Sequence, residues 1–178
     1  VHHRFKRGYK NVIDEAVRLC SEGINAPLAI ETSGHAALKE NYFLDDGAYL
    51  VTRIIIEAVK LRRENKKLLS LIEGLKSARE EKEVRLSFKT DNWKELGNFI
   101  IESIKKLKDP RLVVAPDNYE GARVSVPALK GWFLVRMSVH DPIMPVNIES
   151  DIEGGADRIA AILKEYLKAF DGLNVDNL

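Results

Sequence analysis

The chain has a single cysteine, Cys20, so no intramolecular disulfide can form, and the composition suits a reducing compartment. Long apolar runs are missing too. Nothing approaches the roughly 20 residues of a membrane-spanning helix, and no charged, apolar, small-residue leader opens the sequence. Both absences lead to the expectation of a cytoplasmic protein with no membrane partner. Net charge is equally scarce. The 28 Lys and Arg nearly cancel the 27 Asp and Glu, which leaves no bulk field to recruit nucleic acid. The cationic run from Lys60 to Lys67 lacks interleaved aromatics and reads as a solvated helix face, so no nucleic-acid partner is expected. No internal repeat or low-complexity tract is present. What remains is an ordinary globular composition, 45% apolar over 178 residues, enough for one large or two small cores.

The chain opens on Val1 and enters almost directly into a helix pattern, which suggests part of a longer polypeptide; His2 and His3 read equally well as native residues or tag remnants. Asn11 to Glu22 carries Val12, Ile13, Ala16, Val17 and Cys20 at helical spacing, with Gly23 as a stop. Pro27 to Ile30 reads as a short buried strand. Asp45 and Asp46 read as caps for a helix from Ala48 to about Leu61, and not as a metal site. The hydrophilic stretch from Ser77 to Glu83 is the candidate linker, dividing residues 1–79 from 80–178. The first part holds 14 Lys and Arg against 10 Asp and Glu, the second 14 against 17, so the excess cations lie in the first part.

The second part begins with an alternating strand (Val84, Leu86, Phe88) and a helix marked by Trp93, Leu96, Ile100, Ile104 and Leu107, capped by Asp91 or Asn92. Three or four short strands follow, at 112–115, 122–126, 132–137 and 144–149, and then a helix over about 157–170. Read as β-α-β-β-β-α, this is an α+β domain with helices on one face of a mainly antiparallel sheet.

Chemistry-bearing residues gather in two places. From Ala29 to Gly47, Glu31, Ser33 and His35 crowd one turn at the exit of the first strand; a carboxylate, a hydroxyl and an imidazole there can read a polyol or form one arm of an acid/base site. Ahead of the first helix, Lys6, Arg7 and Lys10 surround Gly8, either a basic turn or an anion site at the helix N-terminus. In the second part, Arg136 and Ser138 sit at i, i+2 near a strand end. Extended chain puts both on one face, where a guanidinium fork and a hydroxyl can grip one oxyanion, phosphate foremost.

Taken together these residues resemble the C-terminal half of the α-D-phosphohexomutases, the phosphomannomutase and phosphoglucomutase superfamily. Glu31-Thr32-Ser33-Gly34-His35 is similar to the family's sugar-binding loop G-E-x-S-G-H, with Lys39-Glu40 and Asp45-Asp46-Gly47 fitting its continuation. Lys6-Arg7-Gly8-Tyr9 resembles K-T-G-H, with Tyr9 where histidine is common. Arg136-Met137-Ser138-Val139-His140-Asp141-Pro142 resembles the phosphate loop R-x-S-G-T-E-P, with Val139 and His140 replacing glycine and threonine. Glu120-Gly121-Ala122-Arg123 is similar to the turn before the strand pair that ends in that loop.

The resemblance implies the end of a partial three-layer α/β/α third domain (1–79), followed by a TATA-box-binding-protein-like α+β C-terminal domain (80–178). It implies that Glu31 and Ser33 contact sugar hydroxyls, that His35 is a possible acid/base beside the reacting centre, and that Lys6, Arg136 and Ser138 hold phosphate. The phosphoserine loop and the D-x-D-x-D magnesium loop belong to the family's first two domains and are not found here. The implied protein is thus a magnesium-dependent mutase interconverting hexose 1- and 6-phosphates through a hexose 1,6-bisphosphate, with the missing N-terminal domains as partners of this chain and no turnover from this chain alone. The alternative is a non-catalytic sugar-phosphate-binding or interaction module.

Overall fold

A computed structural model describes residues 2–138 and 140–178; Val1, and Val139 with its expected departure from glycine, lie outside the described residues. The chain divides into two compact units, one ending at Lys76 and the other starting at Ser77. Among the described residues no helix is long and apolar enough to cross a membrane.

In the first unit, helix α1 (Tyr9–Ser21) starts two residues before its expected position. Gly8, at φ 98°, turns the chain into the helix through a backbone region that side-chain-bearing residues avoid. At the other end Ile24 N–H donates to the Leu19 carbonyl and Gly23 N–H to that of Cys20, the pair of bonds by which a left-handed glycine stops a helix. An antiparallel ribbon of β1 (Leu28–Ile30) and β2 (Ala36–Leu38) follows, with Ala29 opposite Ala37.

The expectation of a buried first strand is corrected. Only Ala29 is buried, against Ala16 and Ala37, while Leu28 and Ile30 are 44% and 59% exposed. Alternation puts these two on the ribbon's other face, and nothing described covers it. Helix α2 (Gly47–Arg63) likewise leaves Val51, Ile54, Ile55 and Val59 exposed. The cationic run Lys60–Lys67 is not one helix face as expected. Asn65 adopts φ 57° and Lys66 N–H closes onto the Leu61 carbonyl, ending α2 at Arg63. Of the layered α/β/α arrangement, the described residues supply these two helices and the ribbon.

The second unit comprises β3 (Glu80–Ser87), α3 (Trp93–Lys105), β4 (Val113–Val114), β5 (Ala122–Val126), β6 (Gly131–Val135), β7 (Ile143–Ser150) and α4 (Gly155–Leu167). The strands form one antiparallel sheet in the order β3-β7-β6-β5-β4. Four strands therefore follow α3, so the order is β-α-β-β-β-β-α. Leu86, Val124, Phe133, Val135, Met144, Val146 and Ile148 point to one face, where Ile100 and Ile104 of α3 and Ile159 and Leu163 of α4 complete the core. On the opposite face Arg123 lies over the Trp132 ring at 4.2 Å, and Trp132 Nε1–H donates to Glu149 (3.1 Å).

Of the hydrophilic stretch expected as a linker, Ser77 to Arg79 follow the boundary between the units outside any strand, while Glu80 to Glu83 are the start of β3. The strand's backbone pairs with β7 from Glu80 opposite Ser150, and Glu81 and Glu83 stay in solvent as suits an edge strand. Glu80 also does the capping that Gly154 cannot, since its carboxylate accepts from the amides of Gly154 (2.6 Å) and Ala156 (2.9 Å) at the start of α4. Those amides hold the Glu80 carboxyl below its usual range. Replacing Glu80 by Ala should lower the melting temperature by a few degrees; an unchanged melting curve would show the cap to be idle.

At its free edge β3 meets the C-terminal segment. Asn174 N–H donates to Ser87 O and Lys89 N–H to Gly172 O, each at 2.8 Å, bringing Leu173 beside Phe88.

Candidate functional site

The turn between β1 and β2 carries the polar cluster. Glu31 N–H donates to the His35 carbonyl and Gly34 N–H to the Glu31 carbonyl, and Gly34 takes φ 95° to make the return. Within this turn the Glu31 carboxylate accepts from the Thr32 hydroxyl (2.8 Å), the Ser33 amide (2.7 Å) and the Ser33 hydroxyl. The Ser33 hydroxyl, then its amide, then Thr32 bring the Glu31 carboxyl down to about 2, so it is a fixed anion at neutral pH. Oε2 takes both Ser33 donors and Oε1 only Thr32, which leaves acceptor capacity on Oε1 for a ligand hydroxyl.

His35 is oriented from two sides. Its Nδ1 lies 2.7 Å from Asp45 Oδ2, and its ring stacks on Tyr9 with centroids 5.1 Å apart and planes at 30°. A carboxylate accepts only, so Nδ1 carries the proton and Nε2 is left to accept or return one.

This geometry corrects the pairing of Asp45 with Asp46 as caps. Asp46 alone caps α2, its side chain accepting from Tyr49 N–H at 3.0 Å. Adjacent side chains in extended backbone diverge, and the bridge between Ala37 and Asp45 turns the latter toward the ribbon and His35. The sequence holds no local signal for this contact, because the two residues lie ten apart across a loop. Tyr9 was equally hidden, its stack being made through the start of α1.

Lys6 is exposed on the segment preceding α1. That segment is tied down by His3, whose Nε2 lies 2.8 Å from Glu15. Glu15 is buried on α1 and also receives Arg18, whose guanidinium, ahead of His3, brings its carboxyl down to about 2. A nearby cleft of about 580 Å³ is lined by Pro27, Leu38, Lys39, Glu40 and Arg53, while Ser33 and His35 are exposed, so the polar turn is an open surface feature.

Both Glu15 and Glu31 have folded-state pKa values depressed from 4.5 to about 2. Their contribution to stability is therefore complete above pH 4.5 and lost as pH falls toward 2. Thermal unfolding should show that decline, and Glu31→Gln should flatten part of it; an identical pH profile in the variant would remove Glu31 from the account.

The second unit holds Arg136 and Ser138. Arg136 N–H donates to the Pro145 carbonyl (3.1 Å) and Ser138 N–H to that of Ile143 (3.2 Å), so strand pairing continues past the end of β6. Met137 between them points to the helix face, which puts Arg136 and Ser138 on the other. The Ser138 hydroxyl accepts from Asp141 N–H at 3.2 Å, tightening the turn, and His140 is exposed. Arg136 is underpinned by Gly121, at φ 75°, where an added Cβ would lie 2.0 Å from the Val135 carbonyl oxygen and 2.9 Å from Arg136 Cα.

Among the described residues no group of three or more His, Cys, Asp or Glu is placed to hold a metal ion. The donor set here does not fit magnesium.

An antiparallel sheet with both helices on one face and an arginine-serine turn beyond β6 makes the second unit an α+β domain. Comparison with known proteins bears on the same class. The chain is 30% identical over 148 residues to the phosphomannomutase/phosphoglucomutase of Pseudomonas aeruginosa, in two strains, a match covering 82% of this chain and 30% of each relative. It is 31% identical over 147 residues to that of Pseudomonas syringae pv. tomato, covering 80% and 29%. A crystal structure of a phosphoglucomutase/phosphomannomutase family protein from Burkholderia thailandensis superposes with a TM-score of 0.66 at 26% identity, covering 96% of this chain and 33% of that one. No family model matches the chain. The chain is similar to members of the phosphomannomutase/phosphoglucomutase family and spans about a third of the length of the relatives it matches.

Proposed function

We propose that this chain is the sugar- and phosphate-recognising portion of a phosphomannomutase/phosphoglucomutase that interconverts hexose 1-phosphate and hexose 6-phosphate through a bisphosphorylated sugar. The observation that carries the reading is the turn at 31–35: an ionised carboxylate with one acceptor position left over, beside an imidazole whose Nδ1 is bound to Asp45. Phosphoryl transfer relies chiefly on positioning and charge stabilisation. In this reading Glu31 and Ser33 hold sugar hydroxyls, and His35 Nε2 accepts or returns a proton at the reacting hydroxyl. The fork of Arg136, with Ser138, grips the phosphate that is not being transferred, and Lys6 adds charge to the phosphate contacts. The serine that carries the phosphoryl group and the magnesium loop are supplied by other domains, in the cytoplasm.

Titration of this chain with glucose 6-phosphate, followed by amide chemical shifts, tests the reading. Saturable binding that perturbs residues 31–35 and 136–138 is expected, with no turnover of glucose 1-phosphate. Absence of binding overturns the recognition role, and turnover by the chain alone overturns the division of labour.

A further inference from the structure

We propose that Gly97 is a positioning residue for the Arg136–Ser138 turn, acting through Met137. The inference rests on the phosphate-binding reading of that turn.

Gly97 sits buried in the first half of α3, where glycine is about 1 kcal/mol less favourable than alanine. A glycine at a buried helix position calls for a close neighbour. The neighbour here is Met137: a Cβ on Gly97 would lie 2.1 Å from its Sδ and 2.5 Å from its Cε, with Phe88 Cζ at 3.1 Å. The missing side chain is thus a notch that receives the thioether, with the Phe88 ring as its third wall. Trp93, on the first turn of α3, backs that ring at 6.2 Å between centroids.

Met137 is the residue between the two phosphate ligands. Seating its side chain on the helix side fixes the rotation of the strand at this point, and so directs Arg136 and Ser138 to the opposite face. The far end of the turn is fixed to the same wall, because Phe88 N–H donates to the Pro142 carbonyl at 3.0 Å. Gly97 and Phe88 therefore hold the turn at both of its ends from the helix side.

A methyl group at position 97 cannot share the notch with Met137. A thioether is flexible, so the methionine is displaced and the helix stays. The gain in helix propensity offsets part of the crowding, and the fold survives while the turn shifts. Gly97→Ala should therefore weaken glucose 6-phosphate binding by about tenfold, with a melting temperature within a few degrees of the parent chain. Met137→Ala, which empties the notch, should weaken it as well. In the double variant the methyl at 97 fills space that the shortened residue 137 has vacated, so its affinity should be no lower than that of either single variant.

A purely structural role would move the melting temperature and leave the affinities alone. Additive losses in the double variant, or an unchanged affinity in Gly97→Ala, overturn the proposal. Arg136→Ala separates the two levels. If it abolishes binding while Gly97→Ala does not weaken it, the positioning role falls alone; if it leaves binding unchanged, the phosphate reading of the turn falls and takes the positioning role with it.

Discussion

Arg136→Ala should cost this chain most of its affinity for glucose 6-phosphate, by at least tenfold and up to about a hundredfold, while leaving its melting curve nearly unchanged. The size follows from a charge-assisted hydrogen bond being worth about 1.5–3 kcal/mol, doubled in specificity when the guanidinium meets two phosphate oxygens at once. The backbone at 136 is held by its bond to Pro145, which the substitution keeps. Lysine should recover the charge but not the fork, and so only part of the affinity. Under the proposed reading the loss would appear in the KM of a complete enzyme, because a phosphate that is not transferred is bound alike in ground and transition states. Isothermal titration of the three chains decides the matter, and an Arg136→Ala chain that binds as the parent does would take Arg136 out of the site.

Gly121→Ala should be the most damaging single methyl in the second unit. Two effects add. A side chain at φ 75° occupies the left-handed region at about 1–2 kcal/mol, and the new Cβ would stand 2.0 Å from the Val135 carbonyl oxygen. That oxygen belongs to backbone inside a paired sheet, so it cannot swing aside as a side chain can, and crowding of this kind costs about 1–3 kcal/mol or more. A total loss of about 2–5 kcal/mol is expected against the 5–15 kcal/mol of a typical domain. The strain falls beside Arg136 Cα, so whatever fraction remains folded should also bind phosphate less well. Denaturant unfolding gives the first number, and an unfolding free energy within about 0.5 kcal/mol of the parent, the limit for a harmless substitution, would show that the turn relaxes freely.

The periodic parts of this fold were legible in the sequence. Alternation of Val84, Leu86 and Phe88 marked the later half of β3, and the spacing of Ile100, Ile104, Ile159 and Leu163 marked the core faces of α3 and α4, because burial on one side imposes a period. Glu80 to Glu83 escaped, since an edge strand is paid in backbone bonds and shows no apolar pattern. Asn65 escaped because its left-handed turn looks like any polar residue in a charged run. At the candidate site, the residue types of Glu31, Ser33, His35, Arg136 and Ser138 were visible as a cluster of chemistry. Their arrangement was not. The bond from His35 to Asp45, the Tyr9 stack and the Gly97 notch are all contacts between separate elements, and no spacing rule along the chain encodes them.

The polar opening of β3 has a further consequence, for the order in which the second unit forms. The first strand of the sheet pairs with the last, Glu80 opposite Ser150 and Ser87 opposite Ile143. During synthesis β3 must therefore wait, unpaired, until nearly the whole unit has been made, and pairings of such long range close slowly. A waiting strand is a template for aggregation. Glu80, Glu81, Lys82 and Glu83 make that waiting safe: four successive charged residues along the half of β3 with no apolar stripe keep newly made chains apart until β7 arrives to claim its partner.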